Sequence, residues 1–171
     1  LYVRQRDRRV CVSAVDGTYE LRHFTEVGKP LPLSVGASGK LLLAFADPAT
    51  QAQELRRVAR EPLTARAPTV DELTAQLESI RGTEWAVSFG EREDGLAAAA
   101  APIRSQSGAV QAALTISGPT VRLDARRLDA LRAELTGAAD EVSLALGWSP
   151  PSKAPLADVG HRRISRASGA R

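Results

Sequence analysis

The chain has 171 residues, of which 43% are hydrophobic and 25% are charged, and it contains one cysteine and no methionine. This length suits one folded domain with a substantial core, and no apolar run approaches the roughly 18 residues of a membrane span. The single cysteine, Cys11, excludes an internal disulfide and fits a reducing compartment. The charged start does not resemble a signal peptide, and the missing initiator methionine suggests a piece of a longer protein.

The net charge of +3 belongs to the end of the chain. Residues 148–171 contain five basic residues and one acidic residue, whereas the preceding 147 residues contain 18 basic and 19 acidic ones. The folded part is therefore nearly neutral, which argues against a nucleic-acid-binding face on it. Because the segment 148–171 is also rich in Pro, Ser, Gly and Arg, we expect a disordered basic tail after a domain of residues 1–147.

Short strands are predicted at the start of the chain. Alternating hydrophobic residues over residues 1–15, with a charged turn near Asp7, predict a hairpin. Asp16-Gly17 is a turn signal, and Tyr19–Phe24 is predicted to be a third short strand. His23, at the end of that strand, is a lone histidine without partners at metal-ligand spacing, so no metal site is expected there.

The stretch Leu31–Ala46 predicts a small-residue turn followed by a buried helix. Four small residues, Gly36–Gly39, would leave the backbone N–H groups of the first helical turn open to a carboxylate or phosphate. Close packing of a buried helix would explain the same small residues equally well. The stretch is not a nucleotide-binding P-loop, because Leu41 stands where that motif requires Ser or Thr.

Two further helices are predicted in the middle of the chain. Asp47-Pro48 starts one that runs to about Ala59, and the capping box Thr69–Glu72 opens another that ends at Gly82. The residues predicted to face the core from these helices are Leu55, Val58, Leu73, Leu77 and Ile80.

The second half predicts strands and then a long helix. A strand over Glu84–Phe89 is followed by a charged loop, Gly90–Gly95, in which Glu91, Arg92 and Glu93 are expected to be mainly solvated. A strand over Leu96–Ile103 turns at residues 106–108 into a returning strand, which Gly118-Pro119 is predicted to break. One face of the returning strand carries Gln111, Ala113, Thr115 and Ser117.

Asp124 is predicted to cap a long helix that reaches about Leu146. Its apolar stripe comprises Leu128, Leu131, Leu135, Ala138 or Ala139, Val142 and Leu146. Strands at both ends of the chain with helices between and after them predict an α+β domain, with a mainly antiparallel sheet flanked by helices.

Three stretches occur together in one order. The first is Leu31–Phe45 and the second is Ile80–Gly95. The third comprises Ala100–Arg104 and Ala112–Pro119, followed by Arg122-Leu-Asp and a terminal amphipathic helix. In this order they resemble the ligand-binding domain of the IclR family of bacterial transcriptional regulators, over roughly residues 1–147. The resemblance implies a curved antiparallel sheet similar to GAF-like small-molecule sensors, without cofactor or metal. It also implies a cytoplasmic homodimer or homotetramer that represses or activates transcription, and DNA binding only through an N-terminal winged helix-turn-helix absent from this chain.

The resemblance further implies an effector pocket between the small-residue turn, the charged loop and the facing strands. The residues carried over as its lining are Gly36, Ala37, Ser38, Phe89, Leu96, Ala98, Thr115 and Ser117. The turn would offer backbone N–H groups to a carboxylate, and Leu96 and Ala98 would form an apolar wall. The hydroxyl groups of Thr115 and Ser117 would donate hydrogen bonds. Since many members carry an acidic residue where Phe89 stands, a larger, more apolar or aromatic effector is expected.

Other interpretations of these residues stay open. Thr115 and Ser117 would also suit the solvated face of a strand, and the alanines of Ala97–Ala101 would also suit close packing of helices on the sheet. No G-x-S-x-G, H-E-x-x-H or Cys–His signature occurs, so the chain is not expected to be an enzyme, although an esterase or amidase using Ser38 is one alternative. Another is an oligomerisation module without ligand, which predicts a cavity filled by side chains.

Overall fold

The computed structural model describes residues 1–18 and 25–150. The predicted strand Tyr19–Phe24, which includes His23, lies outside the described residues. So do residues 151–171, which make up most of the predicted tail.

Within the described residues, six strands form one antiparallel sheet. They are β1 (Tyr2–Gln5), β2 (Arg8–Cys11), β3 (Pro30–Pro32), β4 (Ala86–Phe89), β5 (Leu96–Arg104) and β6 (Val110–Pro119). Their spatial order is β3-β2-β1-β6-β5-β4, so the start of the chain joins the later hairpin where Tyr2 pairs with Ala113. The predicted α+β class and both predicted hairpins are confirmed.

Strand β6 runs further than predicted. Gly118 and Pro119 do not break it, because they pair with Ala97 and Leu96 at the end of the β5–β6 ladder. Proline is tolerated at such a position, where the ladder ends and no further N–H is needed.

Five helices complete the described part of the chain. They are α1 (Ala37–Ala44), α2 (Pro48–Arg60), α3 (Val70–Thr83), α4 (Ala125–Ala130) and α5 (Arg132–Ala145). The Asp47 side chain caps α2, and Thr69 and Glu72 form the predicted capping box of α3. The prediction that Gly82 ends α3 was wrong, since Glu84 adopts the left-handed conformation (φ 52°) and closes the helix. None of these helices combines the length and apolarity that a membrane crossing requires.

The predicted long final helix is broken at Leu131. The Leu131 N–H is shared between the carbonyls of Arg127 and Asp129, which tightens the turn between α4 and α5. After this turn the buried residues of α5 are Ala139 and Ser143, while Val142 and Leu146 are 40% and 50% exposed. The predicted apolar stripe was therefore wrong at its C-terminal end, because a polar residue occupies the buried position.

The sheet lies between two helical layers. Ala98 and Ala100 of β5 belong to the cluster that contains Leu41 of α1, whereas Ala97 and Ala99 pack with Leu128 of α4. The short side chains of β5 thus let helices approach the same strand from both faces. The largest cluster contains all of Leu41, Leu42, Leu43, Leu73, Leu77 and Ile80. Helix α1 is buried over its full length between the sheet and α3.

A hydrogen bond to Ser143 connects α5 to the sheet at a register shift in the β5–β6 ladder. The β5–β6 register shifts between Ile103 and Arg104, and the Arg104 N–H at this shift donates to Ser143 Oγ at 2.9 Å. Ser143 Oγ in turn donates to the Ala139 carbonyl oxygen at 2.7 Å. The buried hydroxyl therefore supplies an acceptor that the β ladder lacks at this point.

We expect Ser143→Ala to lower the free energy of unfolding by about 1–3 kcal/mol, because it leaves the Arg104 N–H without an acceptor. Urea unfolding checks this. Glu141→Ala on the exposed side of α5 serves as the control and should stay within about 0.5 kcal/mol of wild type. Equal effects of the two substitutions would contradict the assigned role of Ser143.

Candidate functional site

The N-terminus of α1 is built without a side-chain cap. Gly36 is its N-cap residue and adopts φ 78°, a conformation that favours glycine. Gly39, in the first turn, has no room for a side chain, since an added Cβ would lie 2.0 Å from Arg9 Nη1 and 2.7 Å from the Leu33 carbonyl oxygen. The two glycines thus serve different purposes: one shapes the turn and the other admits a neighbouring side chain.

That neighbour is Arg9 of β2, which is only 3% exposed. Its Nη1 donates to the carbonyl oxygens of Pro32, at 2.5 Å, and Val35. Its guanidinium also lies over the Tyr2 ring, 5.6 Å from the ring centroid. Burial lowers the pKa of Arg9 to about 10, so the side chain remains charged at neutral pH. A buried cation therefore lies directly against the turn that precedes α1.

Glu91 links the charged loop to the same helix. Its Oε2 accepts from the Gly36 N–H at 2.8 Å, and its Oε1 forms an ion pair with the Lys40 ammonium. Lys40 also donates to Gln76 Oε1 at 2.9 Å. Burial lowers the pKa of Lys40, and the Glu91 carboxylate opposes this lowering. The expectation of a mainly solvated loop is wrong for Glu91. Its contacts with Gly36 and Lys40 hold residues 90–95 against α1.

A second buried polar group supports the turn from α2. Glu54 Oε1 accepts from the Ser34 N–H at 3.0 Å and from Arg57 Nη2 at 2.6 Å, and Arg57 Nη2 also donates to Ser34 Oγ at 2.7 Å. Burial alone would raise the pKa of Glu54, but these hydrogen bonds and the Arg57 charge hold it below its usual value. The turn is therefore held by α2 on one side and by Arg9 on the other.

A cavity of about 30 Å³ lies where these groups meet. Its lining residues are Tyr2, Arg9, Gly36, Ala37, Ser38, Ser88, Glu91, Arg92, Leu96, Ala98, Thr115 and Ser117. Since a water needs at least about 10–15 Å³, the cavity has room for about two waters or the head of a small anion. The structure thus brings together seven of the eight residues predicted from sequence. The eighth, Phe89, is 39% exposed and is not in the cavity wall.

Two buried polar atoms in this wall have no hydrogen-bond partner. They are Arg9 Nε and Thr115 Oγ1. Such atoms are uncommon in folded proteins, because an unmade buried hydrogen bond costs about 1–3 kcal/mol. One donor and one hydroxyl of residues in this wall therefore have hydrogen-bonding capacity that the described contacts do not use. The Gly36 N–H, by contrast, is already occupied by Glu91 in this conformation.

A larger cavity of about 710 Å³ opens beside β6 and shares Tyr2, Thr115 and Ser117 with the small one. Its walls include Leu1 and residues on both sides of the undescribed segment 19–24, so the described residues do not enclose it. Unpartnered polar atoms and buried charges converge on the small cavity. We therefore place the candidate site there.

Sequence reasoning missed the charged groups that form the site. Residues 1–9 contain three other arginines, Arg4, Arg6 and Arg8. Only Arg9 is buried, and no local signal in the sequence separates it from the other three. Glu54 was not among the residues of α2 that were predicted to face the core. For Lys40 and Glu91, the one available signal was that both lie in stretches shared with the IclR family.

The family comparison agrees with the sequence resemblance. A family model described as "Bacterial transcriptional regulator IclR C-terminal" matches residues 1–144. The chain is 34% identical over 143 residues to the HTH-type transcriptional regulator KdgR of Escherichia coli strain K12, covering 83% of this chain and 54% of KdgR. The chain thus spans about half the length of the curated relatives it matches.

Solved structures show the same fold. The crystal structure of the C-terminal domain of E. coli KdgR superposes with a TM-score of 0.68 at 30% identity, covering 86% of this chain and 85% of that one. The crystal structure of Thermotoga maritima IclR gives a TM-score of 0.77 at 27% identity, covering 86% of this chain and 60% of that one.

Gly39→Ala should destabilise the protein by about 3 kcal/mol or more, at the upper end of overpacking penalties, because the new Cβ meets Arg9 and the Leu33 backbone. Gly82→Ala, in α3, is the matched control, since no atom lies within 4 Å of its added Cβ. It should stabilise the protein by about 0.5–1 kcal/mol through helix propensity. Thermal unfolding of both variants measures the difference, and a tolerated Gly39→Ala would show that α1 can move away from Arg9.

Glu91→Gln should lower the free energy of unfolding by about 3–5 kcal/mol near neutral pH, because it leaves the Lys40 charge buried without its partner. Without Glu91, the pKa of Lys40 falls further below that of an unfolded lysine, about 10.4. Between these two pKa values the unfolded chain binds more protons than the folded one, so stability rises with pH. The difference in free energy of unfolding between wild type and the variant should therefore become smaller between about pH 7 and about pH 9.5.

Urea unfolding at the two pH values measures this deficit. The double variant Lys40→Met/Glu91→Gln is the control, and it should recover part of the loss because no buried charge remains. A deficit that stays constant or grows with pH would rule out an uncompensated Lys40 as its cause.

Proposed function

Because the chain belongs to the IclR family of bacterial transcriptional regulators, we propose that it is the effector-binding domain of such a regulator. Its effector is a small organic molecule that carries a carboxylate and enters the cavity between α1, the loop 90–95 and the β5–β6 hairpin. The relatives are named as transcriptional regulators, which supports a regulatory function for this domain over a catalytic one.

One observation carries this proposal: the buried Thr115 hydroxyl has no partner, yet it lies in a cavity that the N-terminus of α1 also lines. The N–H groups of Ala37 and Ser38 lie in the first turn of α1, where the helix itself supplies no acceptor. A carboxylate accepts hydrogen bonds from all of these donors, and the positive end of the helix dipole favours its charge.

The remaining walls suit the body of the effector. Leu96 and Ala98 provide apolar surface, and Ser117 adds a second hydroxyl on the same strand face as Thr115. Since the cavity of about 30 Å³ is smaller than a whole organic acid, binding requires the wall to open. The side chain of Glu91 attaches the loop 90–95 to α1. A hydrogen bond from Thr64 Oγ1 to the Glu91 carbonyl oxygen attaches the loop to the segment between α2 and α3.

Opening of this loop offers a route from binding to regulation. The effector would favour the arrangement of subunits that is compatible with the moved loop, and the shift cannot exceed the difference in its affinity for the two arrangements. In the longer protein, a separate N-terminal domain would bind operator DNA in the cytoplasm. Residues 1–147 would act as a homodimer or homotetramer, and residues 148–171 would form a tail outside the domain.

Two observations also support a second function, that of an oligomerisation module. The small volume of the cavity and the occupation of the Gly36 N–H by Glu91 also suit an oligomerisation module that binds no ligand. The two functions differ in whether any small molecule stabilises the chain. No described contact provides a base for Ser38, and the hydrolase alternative has no such support.

Thermal unfolding in the presence of aliphatic, keto and aromatic carboxylic acids tests the proposal. An acid at a hundred times its Kd adds about 2.7 kcal/mol of stability, which corresponds to a Tm increase of about 5–11 °C for a domain of this size. If no acid raises Tm, the effector-binding function fails and the ligand-free module is favoured.

Thr115→Val tests whether an acid that raises Tm binds in this cavity or stabilises the protein non-specifically. Removing an unpartnered buried hydroxyl should raise the stability of the free protein by up to about 1–3 kcal/mol, while loss of its hydrogen bond weakens acid binding about five- to tenfold. Thr120→Val, the same change just beyond the cavity, should leave binding unchanged. Acid binding that is equally strong in the Thr115 variant would place the effector elsewhere.

A further inference from the structure

Arg9 is a buried charge that forms no ion pair in the part of the chain that the structure describes. The ion pairs of the described residues leave it out, and Glu91, the acidic residue in the same cavity wall, is already engaged by Lys40 and the Gly36 N–H. A buried guanidinium normally has a carboxylate or another strong acceptor nearby, because removing its charge from water costs several kcal/mol.

The neutral contacts of Arg9 satisfy only one end of its guanidinium. Nη1 donates to the Pro32 and Val35 carbonyl oxygens, which explains how the side chain holds the turn before α1. This role does not use Nε, which is buried without a partner. A purely structural arginine would leave one strong donor unsatisfied, whereas a binding residue would keep that donor for its ligand.

The charge around the cavity also leaves room for an anion. Lys40 and Glu91 neutralise each other, and Arg92 lies 3.7 Å from the carboxylate of Glu93. Among the described residues, Arg9 is then the charge of this wall that has no ion pair of its own, although the Glu91 carboxylate acts on it from a distance and raises its pKa. A ligand with a single negative charge would balance it, whereas a neutral ligand would leave the cost of the buried cation in place.

Resting on the proposed effector function, we infer that Arg9 determines effector specificity by binding the carboxylate of a monoanionic effector through its free Nε–H, with the Thr115 hydroxyl as the second donor. Gly36 and Gly39 make this possible, because a Cβ at either position would lie within 2.9 Å of the guanidinium nitrogens. The small residues of the turn thus admit a specific cation as well as exposing backbone N–H groups.

Matched pairs of ligands test this inference on the unmodified chain. Acetate is compared with acetamide and benzoate with benzamide by isothermal titration calorimetry, since each pair keeps its shape and differs in charge. A charge-assisted hydrogen bond should make the carboxylate of a binding pair about ten- to a hundredfold tighter than its amide. Amides that bind as tightly as the carboxylates would overturn the inference and leave the effector function standing.

Two variants separate the charge of Arg9 from its shape. Arg9→Lys keeps the charge, so weaker binding with a retained preference for the carboxylate is expected. Arg9→Gln keeps a donor for the turn and removes the charge, so the preference for carboxylate over amide should disappear. Urea unfolding of both variants reports the structural role separately. A preference that survives Arg9→Gln would overturn the inference.

A direct readout covers the case in which Arg9→Gln does not fold. The arginine Nε–H resonance that is missing from the spectrum of Arg9→Lys identifies Arg9 in the ¹⁵N NMR spectrum of the unmodified chain. Addition of the tighter carboxylate should shift this resonance and slow its exchange with water, and the amide should not. If carboxylates bind while the resonance stays unchanged, Arg9 is a structural residue only. If neither member of any pair binds, the effector function itself fails.

Discussion

Complete burial of helix α1 is the constraint on which the rest of this domain depends. A buried helix end brings unpaired N–H groups into the interior together with the polar backbone of the turn that precedes it, and each group needs a partner. Three distant elements supply those partners. Arg9 from β2 serves the carbonyl groups, Glu91 from the loop after β4 serves Gly36, and Glu54 from α2 serves Ser34. The contacts that satisfy the buried end of α1 are therefore the same contacts that form the candidate site.

This arrangement brings several charges together in a nearly neutral domain. The charges are few, but they are buried and arranged around a helix N-terminus, where each has a larger effect than on the surface. One of them, Glu91, already occupies part of the position that an incoming carboxylate would use. In the proposed function, an acidic effector would therefore meet a carboxylate that already holds the loop 90–95 against the same helix end.

Local sequence patterns predicted most of the fold, whereas contacts between distant residues determined most of the site. The capping box of α3, the two hairpins and the alternation that places Thr115 and Ser117 on one face depend on residues a few positions apart, so they were predicted correctly. Arg9, Lys40, Glu54 and Glu91 were not identified, because burial of each charge depends on a partner 20 or more residues away. The break at Leu131 was missed for a related reason: a continuous apolar period does not reveal where a helix must bend to follow the sheet.

The alanines of β5 have a consequence for how this domain can diversify. Four of the five, Ala97, Ala99, Ala100 and Ala101, are fully enclosed between helices and sheet, so a larger residue at any of them would push a helical layer away. Ala98 differs, because it is 8% exposed and lines the cavity. Among these alanines, Ala98 is therefore the one at which a larger side chain would change the volume of the cavity. If the proposed effector-binding function holds, substitution at this alanine would give the domain a short mutational path from one effector to another.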